Sequence, residues 1–253
     1  MGDAFPFLVA SAAFVTSVIS AVFGMAGGMI LMGLYAATLP VQVAMVLHGV
    51  TQLFANGFRA FLLRGRIFTP GLWWYAAGAL VSLAFFTWLA LVVARPVMFV
   101  LLGAIPLALS FLPNRLAPNF AHARGALACG VLCTSASLLA GISGPTLDVF
   151  FVRTELDRFE IIATKAFTQA VGHILKIVYF AWLVRGPSLE MNVPLWLYPT
   201  LVACAYAGTR LGGRILESLT DAGFRRWTGR IVVALSLLYL WRGASEMGWL
   251  GAW

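Results

Sequence analysis

Eight stretches of the chain, at about 5–23, 42–63, 71–94, 97–112, 124–152, 160–184, 194–216 and 229–248, are predominantly apolar. Most of them approach or exceed the roughly 20 apolar residues that one spanning helix needs. Little chain is left between them to build a domain in water. With 61% of residues hydrophobic and 10% charged, and a mean hydropathy of +0.92, a water-soluble fold is excluded. Unpaired backbone groups are intolerable in hydrocarbon, and the alternation of a membrane barrel is absent, so the runs must be helices. The expectation is an all-α integral membrane protein of seven to eight transmembrane helices. The first run has no positively charged leader and no small-residue cleavage motif, and it reads as a retained helix.

The 17 Lys and Arg against 9 Asp and Glu give a net charge of +8. Most arginines fall where apolar runs stop, which assigns them to topology and to contact with membrane lipid headgroups. No basic patch sits on a domain large enough to present it to nucleic acid. Cys129, Cys133 and Cys204 lie inside apolar runs and read as small packing residues rather than a disulfide or metal site.

The run from 5 to 39 is too long for one straight span at 1.5 Å per residue, and its middle reads Gly24-Met25-Ala26-Gly27-Gly28. The run from 124 to 151 is interrupted in the same way by Gly141-Ile142-Ser143-Gly144-Pro145. Paired glycines release the chain from helical geometry and proline withholds a backbone donor, so each run is expected to be one helix broken near the bilayer centre. A shift of 117 residues superposes the two interruptions without a gap, Gly24 on Gly141 and Gly27 on Gly144. It also places Leu39 on Leu156, Thr51 on Thr168, Gln52 on Gln169, Asn56 on His173, Arg59 on Lys176 and His48 on Lys165. Two structural repeats follow, 1–115 and 116–253, the first helix of each broken. An odd number of crossings per repeat would invert them; inversion is preferred on analogy with transporters. Arginine placement does not fix the orientation, because Arg59, Arg64, Arg66, Arg115 and Arg124 favour one side and Arg210, Arg214, Arg225, Arg226 and Arg230 the other.

Non-helical backbone at membrane depth survives where it lines a cavity, so a pair of glycine interruptions points to a site between them, although small residues also serve close helix packing. Freed N–H groups at the start of the following helical segment suit an anion. In the next helix Thr51, Gln52, Ala55 and Arg59 share one face, as do Thr168, Gln169, Gly172 and Lys176, with Asn56 and His173 flanking them. The threonines could equally bond their own preceding turn, and Arg59 and Lys176 could snorkel to the interface. Asp148 follows Pro145 in an apolar context, and it reads as a proton carrier or as a partner to a base such as Lys165. His173 is the second candidate for proton coupling. No acid occurs between Asp3 and Asp148. A polar interior of hydroxyls, amides, backbone N–H groups and bases favours a small anionic substrate.

At these residues the chain resembles the sulfite exporter TauE/SafE family. The resemblance lies in FGMAGG, then a helix with Thr-Gln, then a second round of both as AGISGP and KAFTQAVGH, and in YAGTRLGGRI from Tyr206 to Ile215. It implies a secondary transporter that exports sulfite, sulfonate or sulfoacetate-type anions across the bacterial inner membrane by alternating access. Carried over by position, the binding region is Gly24, Gly27 and Gly28 with Gly141, Ser143, Gly144 and Pro145, plus Thr51, Gln52, Thr168 and Gln169. Asn56, Arg59, His173 and Lys176 line the same faces. No cofactor is expected, since no nucleotide-binding motif is present, and the oligomeric state is left open. The competing readings are a membrane-embedded enzyme and a passive anion channel.

Overall fold

The computed structural model describes residues 5–184, 193–216 and 221–249, with the side chains of 216 and 221–226 outside that description. Ten α-helices appear among the described residues: α1 (Phe5–Phe23), α2 (Met25–Thr38), α3 (Val41–Leu62), α4 (Leu72–Leu89), α5 (Arg95–Ser110), α6 (Ala123–Ala140), α7 (Gly144–Phe151), α8 (Arg158–Val178), α9 (Leu197–Leu216) and α10 (Asp221–Glu246). No strand accompanies them among those residues. Among the described residues four stretches, Phe5–Phe23, Leu72–Leu89, Ala123–Ala140 and Arg158–Leu183, are long and apolar enough to cross a membrane.

The helix interruptions fall where the glycines place them, but the chain reverses there instead of continuing. Gly24 turns with φ +63° and Gly141 with φ +78°, a backbone region that glycine enters without a Cβ penalty. After Gly24, α2 runs back along α1: Tyr35 Oη donates to the Val9 carbonyl at 3.1 Å. A Cβ on Gly27 would meet the Thr16 carbonyl at 2.2 Å, so glycine is what lets the two helices touch. After Gly141, α7 returns along α6 until Phe120 N–H donates to the Phe150 carbonyl at 2.9 Å. The two expected broken spans are therefore helical hairpins. A glycine turn and a glycine kink use the same residues, and the decision rests on contacts remote in sequence.

The two hairpins enter from opposite ends. α3 and α8 pack antiparallel, with Gly49 against Ile177 and the segment after α3 tied to the start of α8 by Phe68 N–H donating to Thr164 Oγ1 at 2.8 Å. α1 packs beside α9 in parallel, from Phe7 near Trp196 to Ala21 near Gly212. α6 packs beside α4 in the same way, from Leu127 near Gly78 to Ser135 bonded to Ser82 at 3.0 Å. α5 and α10 form a further pair, closed by Arg95 on Glu246 at 3.0 Å.

These directions gather the arginines. Arg66 pairs with Asp157 at 3.5 Å at the start of α8, Arg153 donates to the Arg115 carbonyl at 3.1 Å, and Phe58 meets Tyr206 edge-to-face, one turn before Arg210, at 5.0 Å between ring centres. The two clusters that sequence order assigned to opposite sides thus lie at one end of the bundle, because the hairpins add reversals that a count of single spans omits. Arg225 and Arg226 fall on side chains outside the described residues.

The start of α8 is fixed by a capping box: Asp157 accepts from the N–H groups of Phe159 and Glu160 while Glu160 accepts from Asp157 N–H. The Glu160 N–H, foremost, holds the Asp157 carboxyl below its ordinary range, opposed by desolvation and assisted by Phe159 N–H and the charges of Arg66 and Arg158. Lipid-facing residues are apolar. Trp73 and Trp88 stand at the two ends of α4, 84% and 80% exposed, about 22 Å apart along the helix at 1.5 Å per residue, the placement of aromatic belts.

Candidate functional site

The tips of the two hairpins meet halfway along α3 and α8, against His48 and Gln52 on one and Gln169 on the other. Between them lies a cavity of about 280 Å³. Two helix N-termini open onto it, α2 behind Gly24 and α7 behind Ser143 and Gly144. The first N–H groups of a helix have no partner within it and form its positive end. Pro145 removes one such donor from α7.

Side chains add further donors. Asn56 Nδ2 donates to the Gln52 carbonyl at 2.9 Å and reaches Gln52 Oε1 at 3.5 Å. That orients the Gln52 amide and leaves Nε2, which is buried in the cavity wall, without a partner. His173 Nδ1 is likewise buried and unpartnered, its ring edge-on to His48 at 5.6 Å. Gln169 lines the opposite wall, its Nε2 close to Gly144. An unsatisfied buried donor is costly in an empty protein and is a place for a ligand oxygen.

Charge is graded along the cavity. At the mouth stand Arg59, Lys165 and Asp148, and Lys165 forms an ion pair with Asp148, the two side chains 27% and 33% exposed. Gln52 and His173 are each 4% exposed in the middle. Behind His48, which lines the floor, Lys176 is fully buried and off the cavity wall, its Nζ bonded to His48 Nδ1 at 2.7 Å and to the Gly141 carbonyl at 2.9 Å. His48 Nε2 in turn meets the Gly28 carbonyl at 3.0 Å. Beyond that floor Met32 and Met45 close the way as part of the main apolar core.

Gly24, Gly28, Gln52, Asn56, Arg59, Ser143, Gly144, Pro145, Asp148, Gln169 and His173 therefore come together in the cavity wall. Gly27 does not, since it faces the α1 backbone, and the Gly141 carbonyl is occupied by Lys176. Thr51 and Thr168 also stand off the wall: each hydroxyl bonds the preceding turn, to Leu47 O at 3.0 Å and to Thr164 O at 2.9 Å. A hydroxyl one position from the amide on a helix points about 100° away from it, so the pairs cannot both face inward. Lys176 lies inside rather than at an interface. The sequence reading missed His48 as the partner of Lys176, and missed Ser20 and Thr228 in the wall. The signal for His48 was present in the 117-residue shift, once α3 and α8 are set antiparallel.

A family model described as Sulfite exporter TauE/SafE matches residues 9–239. No curated protein and no solved structure matches the chain.

Proposed function

Because the chain belongs to the sulfite exporter TauE/SafE family, we propose that it is a carrier that exports small sulfur-containing anions, of the sulfite, sulfonate or sulfoacetate type, by alternating access. The observation that carries this reading is the convergence of two helix N-termini, the unpartnered buried donor Gln52 Nε2 and the unpartnered imidazole nitrogen His173 Nδ1 on one cavity. Such a site supplies positive potential without placing a bare charge against lipid. Arg59 at the mouth attracts the anion, and Lys165 shares its charge with Asp148. A carrier must be closed on one side while open on the other, and the Lys176–His48 floor backed by Met32 and Met45 meets that requirement. The same closure weighs against a passive channel.

The antiparallel course of α3 and α8, and the like pairing of α1 with α9 and α6 with α4, support two inverted repeats over 1–115 and 116–253. In this arrangement six helices cross and each hairpin enters and leaves at one end, in place of seven or eight crossings. The mouth lies at the end that carries Arg59, Arg64, Arg66, Arg115, Arg153, Arg210 and Arg214, against Arg95 and Arg242 at the other. By the excess of arginine on cytoplasmic loops, the mouth faces the cytoplasm of a bacterial inner membrane, ready to load substrate for export.

Counterflow in proteoliposomes tests the reading. Sulfite or sulfoacetate inside the vesicles should accelerate entry of labelled sulfite, as only a carrier does. Equal entry with and without internal anion would refute it.

A further inference from the structure

Lys176 presents a problem of charge that the anion cavity does not by itself solve. Its side chain is fully buried, and no carboxylate pairs with it among the described residues, because Asp148 is held by Lys165 at the mouth. Gly49 makes room for its stem, a Cβ there lying 3.4 Å from Lys176 Cε. The groups around it are few. His48 faces it from α3, and His173 lies one turn back on α8. The turn after α6 offers the Gly141 carbonyl. The nearby tyrosines are engaged elsewhere, Tyr75 with Thr168 O, Tyr179 with Phe86 O and Leu91 O, and Tyr35 with Val9 O.

Nζ thus has two acceptors, His48 Nδ1 and Gly141 O. A neutral amine carries two N–H groups and an ammonium three. Two acceptors satisfy the neutral amine completely and leave its lone pair free. They leave one N–H of the ammonium without a partner, in a place where an uncompensated charge is expensive. The His48 tautomer agrees: Nδ1 accepts from Lys176, so Nε2 carries the proton that it donates to Gly28 O at 3.0 Å. An anion in the cavity would lie against the walls made by His48 and His173 and would supply the missing countercharge.

We propose that Lys176, held by His48, is the proton site of this carrier: Nζ takes one proton from water when an oxyanion enters the cavity and releases it when the anion leaves, so that the two travel together. This rests on the anion reading above and moves proton coupling away from Asp148. The step is balanced, one proton gained on a nitrogen lone pair for one anion bound. A dianion then crosses with a net single negative charge. Opposite charges that bind side by side favour each other reciprocally, which fixes the sign of the pH dependence.

Calorimetry on the purified full chain with sulfoacetate, whose sulfonate and carboxylate stay ionised near neutral pH, tests the site in buffers of different ionisation enthalpy. The wild type should take up about one proton per anion, and affinity should fall about tenfold per pH unit above the titration of the empty site. Lys176→Met should bind more weakly and without proton uptake, and His48→Gln, which keeps an acceptor for Nζ, should retain uptake. Binding by the wild type with no proton exchanged overturns the proposal, and so does equal uptake in Lys176→Met. If neither sulfite nor sulfoacetate raises the melting temperature, the anion reading falls and the proton site with it.

Discussion

Gly144 of the second hairpin faces Met25 of the first so closely that a Cβ on Gly144 would lie 2.8 Å from Met25 Cβ and 3.3 Å from Gln169 Nε2. The two hairpin tips are thus in contact through a position where only hydrogen fits. Gly144→Ala should weaken anion binding about tenfold by displacing Gln169 and the start of α7, and Gly144→Val should abolish it. Isothermal titration of the purified variants checks this. Unchanged affinity in Gly144→Val would mean that the tips do not form the site.

Gly27 has a different role although it occupies the matching position in the first hairpin. A Cβ there would meet Thr16 O at 2.2 Å and Ser20 N at 2.4 Å, backbone atoms that cannot step aside. Gly27→Ala should therefore destabilise the hairpin by on the order of 1–3 kcal/mol, the usual cost of overpacking. The fraction that folds should keep its affinity. A normal melting temperature with lost binding would place Gly27 in the site after all.

The pattern of this contrast says what was legible in the sequence. The glycines located both interruptions to within five residues, though as breaks in a continuing helix rather than as turns, and the amides Gln52 and Gln169 stood out because polar side chains are conspicuous in apolar helices. Whether Gly27 faces ligand or backbone depends on the chain reversing at Gly24, which no local pattern encodes. The threonines were misplaced because position on one helix face was drawn too broadly. The Lys176–His48 bond joins residues 128 apart in sequence, and only the relative direction of α3 and α8 brings it into view.

Asp148 and Lys165 form an ion pair at the mouth, so on the proposed function the carboxylate would compete with an entering anion for the same ammonium. Asp148→Asn should free Lys165 and tighten anion binding by up to about fivefold, in line with the modest worth of partly exposed pairs. Its pH profile should remain that of the wild type. A flattened profile in Asp148→Asn would return the coupling proton to this carboxylate.

Asp157 caps α8 with a carboxyl held below its ordinary range, chiefly by the Glu160 N–H. A depressed carboxylate stabilises the native state fully above its ordinary range, and the effect is lost as pH falls through the depressed value. Protection of the Phe159 and Glu160 amides against exchange, taken relative to the intrinsic rate at each pH, should fall on acidification in the wild type. Asp157→Asn, which keeps a capping oxygen without the charge, should show lower protection at neutral pH and little further change in acid. Identical acid sensitivity in both proteins would assign the effect to another group.

Ile162 and Met45 occupy equivalent positions under the 117-residue shift, yet Ile162 lines the open mouth at 40% exposure and Met45 is sealed at 0%. Arg59 and Lys176 are related in the same way, one at the mouth and the other behind the floor with its Nζ on Gly141 O. If the repeats are inverted, one conformation already contains the plan of its opposite: each half adopts what the other now shows. Met45 then lines a mouth on the far side, Ile162 is sealed, and Arg59 reaches Gly24 O as Lys176 now reaches Gly141 O. Two single-cysteine proteins follow this exchange, with Cys129, Cys133 and Cys204 replaced by alanine. Ile162→Cys should react with a membrane-impermeant thiol reagent from the arginine-rich end, and Met45→Cys only from the other. Conditions that raise labelling of one should lower that of the other, because a single molecule cannot expose both. Labelling of both positions that rises or falls together as conditions change, or labelling of Met45→Cys from the arginine-rich end, would rule out alternating access between inverted halves.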